Sequence, residues 1–314
     1  MSDPHLLEKT IGLLRKYELR PSRRMGQSYV VDPELIDCII GAAELEKGDT
    51  VLEIGAGTGN LTVRIAEKVR KVIAVEKDRG AIRILERQLS ATGNVEVVNE
   101  DILSMNLPSV DKIVSNLPYS ISTPITFKLL LEGDFRLAAL TYQKEVADRI
   151  LAGPGIRAYS RLSVAVALLG EVERKGDFPP ASFYPRPKVE STVVALRKRD
   201  RNKGDGSAKT IDWKELDDVL KFLFSQRRRT LRKALRTYSK VRGVDTTEVL
   251  GGGLEGGGDR RVFELTPEDF LEMARQLAVA RAEGQGGKRC GAGKKERGKS
   301  MIGSERGAEP DGMA

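Results

Sequence analysis

Val51-Leu52-Glu53-Ile54-Gly55-Ala56-Gly57-Thr58-Gly59-Asn60 runs a short apolar strand into three alternate glycines and then into an amphipathic helix. Glycines at such a turn let the backbone bend tightly and let a ligand approach the main chain. The N–H groups of the following helix then face that ligand. A glycine-rich turn alone also fits dinucleotide enzymes. Here the spacing is GxGxG and not GxGxxG, Glu53 stands two residues before the first glycine, and the loop is not at the chain start.

Outward from this turn, apolar strands alternate with amphipathic helices. Strands are expected at Thr50–Ile54, Lys71–Glu76, Val95–Val98, Lys112–Ser115 and Leu137–Tyr142. Helices are expected at Asn60–Val69, Arg79–Leu89, Pro124–Leu131, Lys144–Leu151 and Ser160–Leu169. The alternation predicts a mostly parallel sheet with helices on both faces. Val172–Gly176 and Thr192–Arg197, around the proline-rich loop Phe178–Pro187, are placed to close it antiparallel. Before the turn, residues 1–24 form a basic lead segment with one helix, and Asp32-Pro33 starts a helix by N-cap and proline. Residues 25–200 make the main α/β domain, and 201–210 a polar linker. Residues 211–282 make a small all-α domain opened by Asp212, with a basic helix at Thr230–Tyr238 and a last helix from Thr266. Gly251–Gly258 reads as a flexible break. From Glu283 glycine and charge dominate, which predicts a disordered basic tail at 283–314.

The composition excludes several chemistries. The 314 residues contain one histidine, His5, and two distant cysteines, Cys38 and Cys290, so neither a metal cluster nor a Cys–His or Ser–His catalyst is expected. No membrane span or signal peptide is apparent, so a cytoplasmic monomer is expected. The net charge of +8, with clusters at Arg20–Arg24, Arg197–Lys203 and Arg227–Arg236, points to a polyanionic partner, and nucleic acid is the reading favoured.

Two carboxylates follow the glycine turn at successive strand ends. Glu76 lies about 20 residues on, where it can accept both hydroxyls of a ribose. Asp101 ends the next strand and can accept an amino group of an adenine. Together with Gly55, Gly57 and Gly59 they point to an adenosine-containing cofactor. Asn116-Leu117-Pro118-Tyr119 then ends the fourth strand. An aromatic amine is a poor nucleophile because its lone pair is delocalised into the ring. Two acceptors, the Asn116 side-chain oxygen and the Leu117 carbonyl, can bind its N–H groups and localise that pair, with Pro118 stiffening the turn. Tyr119 can stack on the base, and Phe183 is expected to supply the second aromatic face.

On these residues the chain resembles the small-subunit ribosomal RNA adenine dimethyltransferases (the KsgA type), which have the class I methyltransferase fold. The resemblance runs from about Gly26 to Leu235. It includes Gly26-Gln27-Ser28, Glu53–Gly59, Glu76–Asp78, Asn116–Pro124, Gln143–Val146, Tyr159–Val164, Phe183–Val189 and Gln226–Arg232. It implies S-adenosyl-L-methionine as cofactor, with contacts at Gln27, Ser28, Val30, Gly55, Gly57, Gly59, Glu76, Asp101 and Asn116. It implies methylation of N6 on two adjacent adenosines near the 3′ end of the small-subunit RNA, two methyls on each, and a role in building the subunit. The helical domain would grip RNA with Arg227, Arg228, Arg229, Arg232 and Lys233. Ser28-Tyr29-Val30 departs from the family's usual Asn-Phe-Leu, a departure that bears on a side-chain contact at Ser28 and not on a main-chain one. Rival readings are a large-subunit adenine methyltransferase, a non-catalytic assembly or transcription factor on the same scaffold, and a nicotinamide dehydrogenase.

Overall fold

The computed structural model describes residues 4–22, 24–199, 212–247, 249 and 257–290, with the backbone alone at 4, 257 and 283–290. Seven strands form the main sheet in the order β4-β3-β2-β5-β6-β9-β7: β2 Thr50–Ile54, β3 Lys71–Val75, β4 Val95–Val98, β5 Lys112–Asn116, β6 Leu137–Gln143, β7 Gly170–Phe178 and β9 Ser191–Lys198. Strands β2 to β6 run parallel to one another. The last strand, β9, runs antiparallel between β6 and β7, as the proline-rich connection predicts.

Side chains alternate between the faces of these buried strands. Val51, Val114, Ala139 and Val193 face the core built with α2 Pro33–Ala43, α3 Asn60–Ala66 and α4 Arg79–Gln88. Leu52, Ile113, Leu140 and Val194 face the opposite core, covered by α5 Ser122–Glu132, α6 Lys144–Leu151 and α7 Arg161–Leu169. Asp32 caps α2 by accepting from the Glu34 N–H at 3.1 Å, and Asp78 caps α4 by accepting from the Gly80 N–H at 2.8 Å. From β2 the chain steps to β3 and β4 on one side and then to β5 on the other. That reversal opens a crevice at the carboxyl ends of β2 and β5.

The lead segment belongs to this domain. Its helix α1, Pro4–Lys16, packs Leu14 on Tyr29 and Ile84, and its buried Thr10 accepts from the Asn60 side chain at 2.8 Å. Strand β1, Tyr29–Val30, pairs antiparallel with β8, Phe183–Tyr184.

Helices α8 Trp213–Ser225, α9 Leu231–Arg242 and α10 Pro267–Cys290 form the all-α part, with Leu216, Leu223, Tyr238, Phe270 and Leu277 in its core. Tyr159 and Val164 of the α/β domain enter the same cluster, and Arg161 meets Asp217 at 2.7 Å, so the two parts share a packed junction. Helix α10 runs to Cys290, past the boundary expected at 283. The linker at 201–210, most of the Gly251–Gly258 break and residues 291–314 lie outside the described residues.

Candidate functional site

A cavity of about 440 Å³ occupies the crevice, and both sequence motifs line it. Gly55, Gly57 and Gly59 all have positive φ, at 72°, 57° and 85°. The space above them is filled: a Cβ on Gly55 would come within 3.3 Å of the Pro118 ring, and one on Gly57 within 3.0 Å of the Tyr29 ring. The glycine loop thus threads between Tyr29 and Pro118, and only glycine satisfies both its backbone and its neighbours.

Glu76 directly follows β3, against this loop. Its Oε2 accepts from the Gly57 N–H at 2.9 Å and its Oε1 from the Asp78 N–H at 2.8 Å. Burial raises its pKa despite these donors. Each oxygen keeps a lone pair for a ligand hydroxyl. Asp101 lies across the cavity, its carboxylate paired with Lys77 at 2.6 Å and accepting from the Leu103 N–H at 3.1 Å. The Lys77 hydrogen bond, with the Leu103 N–H, holds its carboxyl below the usual range.

Asn116 caps β5 on the facing wall. Its Nδ2 donates to the Ser28 carbonyl at 2.7 Å, while its Oδ1 is buried with no partner among the described residues. The Leu117 carbonyl likewise receives no donor from them. Tyr119 is held at its hydroxyl, 2.6 Å from Ser191 Oγ, and burial pushes its phenol up to about 12 against that hydrogen bond. Two acceptors without donors therefore sit beside an anchored aromatic ring.

Of the expected cofactor residues, Gln27, Ser28, Val30, the glycines, Glu76, Asp101 and Asn116 are near one another, and all but Gly59 line the cavity. Two side chains are committed elsewhere. Gln27 bridges Asp78 Oδ2 at 2.8 Å and the Ser22 N–H at 2.7 Å, and the Ser28 hydroxyl donates to the Pro185 carbonyl at 2.8 Å. Phe183 corrects the sequence reading. It is 1% exposed in the core beside Val30 and does not line the cavity, because pairing of β8 with β1 turns it inward.

In the sequence Glu53 stands out only by its spacing from the first glycine. It is a lone carboxyl in an apolar strand, 1% exposed, on the cavity wall, with Oε2 unpartnered. Burial pushes its pKa up to about 8, Glu76 adding to the rise and Thr62 opposing it. A buried unpaired carboxyl of this kind invites a cationic or hydrogen-bonding ligand group.

The basic residues of the helical domain lie in the α8–α9 turn and first turns of α9. Arg228, Arg229, Arg232 and Lys233 are exposed. Arg227 is partly structural: its guanidinium donates to the Arg157 carbonyl at 2.9 Å and lies over the Phe263 ring. With Arg149, Arg157 and Arg161 it lines a groove at the junction of the two parts.

A glycine-threaded cavity at the switch point of a seven-stranded sheet, beside an acceptor-rich Asn-Leu-Pro-Tyr turn, defines a class I RNA methyltransferase architecture. Residues 19–277 match the model of the family described as ribosomal RNA adenine dimethylase, and the chain belongs to that family. A relative from Methanothermobacter thermautotrophicus, called "Probable ribosomal RNA small subunit methyltransferase A", is 43% identical over 274 residues, covering 87% of this chain and 96% of the relative. One of the same description from Thermococcus gammatolerans is 39% identical over 268 residues, covering 85% and 92%. Among solved structures, a dimethyladenosine transferase from Plasmodium falciparum superposes with a TM-score of 0.69 at 30% identity, covering 80% of this chain and 98% of that one. The 23S rRNA methyltransferase ErmE gives 0.60 at 27% identity, covering 80% and 99%.

Proposed function

We propose that the chain transfers methyl groups from S-adenosylmethionine to N6 of two adjacent adenosines near the 3′ end of small-subunit ribosomal RNA, two on each, during assembly of that subunit. The observation that carries this reading is Asn116: its amide is pinned through Nδ2, and its buried Oδ1 has no donor. The small-subunit choice is supported by the relatives of higher identity, whose names carry it, over the large-subunit enzyme at 27%.

The cavity fits the cofactor on two counts. The positive-φ turn at Gly55 and Gly57 presents main chain to the cavity, and the unpartnered Glu53 oxygen offers a site for an ammonium group. Glu76 would hold the ribose hydroxyls, and Asp101 the adenine amine after exchanging Lys77 for it. When bound, S-adenosylmethionine supplies an electrophilic methyl on a sulfonium.

The chain's own residues do the rest by positioning. Asn116 Oδ1 and the Leu117 carbonyl accept the two N–H bonds of the target amine and draw its nitrogen towards a tetrahedral shape. Tyr119, fixed by Ser191, stacks on the base and sets its plane. No strong general base is needed, because the methylated amine is acidic and gives its proton to water. A direct test offers labelled cofactor to the purified chain with undermethylated small subunits or with large subunits. Label is expected on the small subunit RNA alone. Transfer confined to large subunits would overturn the substrate, and cofactor binding without transfer to either would overturn the enzyme reading.

A further inference from the structure

Helix α4 carries Arg79, Arg83 and Arg87 at four-residue steps, about 6 Å apart along its axis and on one face. All three are exposed, and none meets a carboxylate among the described residues. Several surface cations elsewhere do meet carboxylates: Arg64 meets Asp37, Lys71 meets Glu96, Arg197 meets Glu44, and Arg242 meets Asp218. Like charges four apart on a helix repel one another and destabilise it. An uncompensated stripe of arginines makes physical sense if an anion neutralises it.

The stripe has a defined position. It starts three residues after Glu76, at the cavity rim, and Gln88 at its far end donates to the Thr58 carbonyl of the glycine loop. The lead segment lies alongside, with Leu19 against Gly80 and Gln27 bonded to Asp78. This brings the exposed Arg20 and Arg24 to the same side, and Arg24 itself lines the cavity. The carboxylates nearest in sequence are Glu18, Glu76, Asp78 and Glu86; Glu76 is turned onto the glycine loop and Asp78 caps α4, so cations dominate the exposed face.

We propose that α4 and the end of the lead segment form a second RNA-contact surface, apart from the helical domain, which grips phosphates of the ribosomal RNA flanking the target bases. The proposal rests on the RNA methyltransferase reading above. Evenly spaced guanidinium groups on a rigid helix suit a phosphate backbone, since arginine binds phosphate in bidentate fashion. The positive end of the α4 dipole points the same way.

The test is the variant Arg79→Gln, Arg83→Gln, Arg87→Gln in the full chain, with affinity for transcribed small-subunit RNA measured across a salt series. Each lost phosphate contact lowers the slope of log affinity against log salt by about 0.7–0.9. The slope is expected to fall by about two, and affinity by about tenfold or more at moderate salt, while S-adenosylmethionine affinity by calorimetry stays unchanged. A charge-matched control, Arg64→Gln, Lys71→Gln, Arg197→Gln, removes cations that already meet carboxylates and is expected to change the slope little. An unchanged slope in the α4 variant, or an equal fall in the control, would overturn the surface. So would weakened binding to whole subunits with naked RNA unaffected, which would assign α4 to a protein partner. Failure of the unmodified chain to methylate the RNA would instead sink the underlying reading.

Discussion

Asn116 and Ser28, 88 positions apart, are joined by a 2.7 Å hydrogen bond from the Asn116 Nδ2 to the Ser28 carbonyl. That bond fixes which end of the amide is left to accept. Ser28 is fixed in turn by its hydroxyl on Pro185, so the loop that walls the cavity also sets which atom of the Asn116 amide is left to accept.

Asn116→Ala removes that acceptor. Methyl transfer is expected to fall by about 10²–10³ or more, the cost typical of deleting one preorganised catalytic group, with RNA affinity nearly unchanged. Single-turnover rates and filter binding on the same preparation check this. Parallel loss of rate and RNA binding would make Asn116 a structural turn residue.

Ser28→Ala separates two roles for one residue. If Ser28 acts by orienting Asn116, the turnover rate drops about tenfold while the cofactor dissociation constant holds, and Ser28→Thr restores much of the rate. Weaker cofactor binding with an unchanged maximal rate would return the Ser28 side chain to the cofactor.

Tyr119 and Ser191 form one unit through their 2.6 Å hydroxyl contact. Tyr119→Phe and Ser191→Ala should each slow transfer several-fold by loosening the ring, and the double variant should be no worse than either single one. Additive losses would mean that Ser191 acts on something other than Tyr119.

Glu53 gives a pH signature. Its pKa is raised by burial from 4.5 to about 8. Between those values the folded chain keeps a proton that the unfolded chain has lost, so stability declines as pH rises through that window. The cofactor-free Tm is therefore expected to fall between pH 5 and 9 more steeply in the unmodified chain than in Glu53→Gln. Parallel curves would show that Glu53 is not buried as a neutral acid.

Much of this architecture is legible in the sequence because the relevant signals are local. The strand at Thr50–Ile54 and the helix at Lys144–Leu151 fall where apolar spacing predicts them, and Asp32 and Asp212 cap the helices expected of them. What escapes is set by distant pairing. Phe183 is turned into the core by Val30, which lies over 150 residues earlier, and no local pattern carries that. The lead helix reads as polar, yet Thr10 and Leu14 dock on the α/β domain through Asn60 and Ile84. Glu53 was visible as a charge in an apolar strand, but its meaning needed the cavity beside it.

Nucleoside analysis of small-subunit RNA, after undermethylated subunits are incubated with the chain and S-adenosylmethionine, reads the reaction and its target together. N6,N6-dimethyladenosine is expected at two adjacent positions near the 3′ end, and is expected to be absent when Asn116→Ala replaces the unmodified chain. Methylation at another atom or base, or an unchanged product from Asn116→Ala, would contradict it.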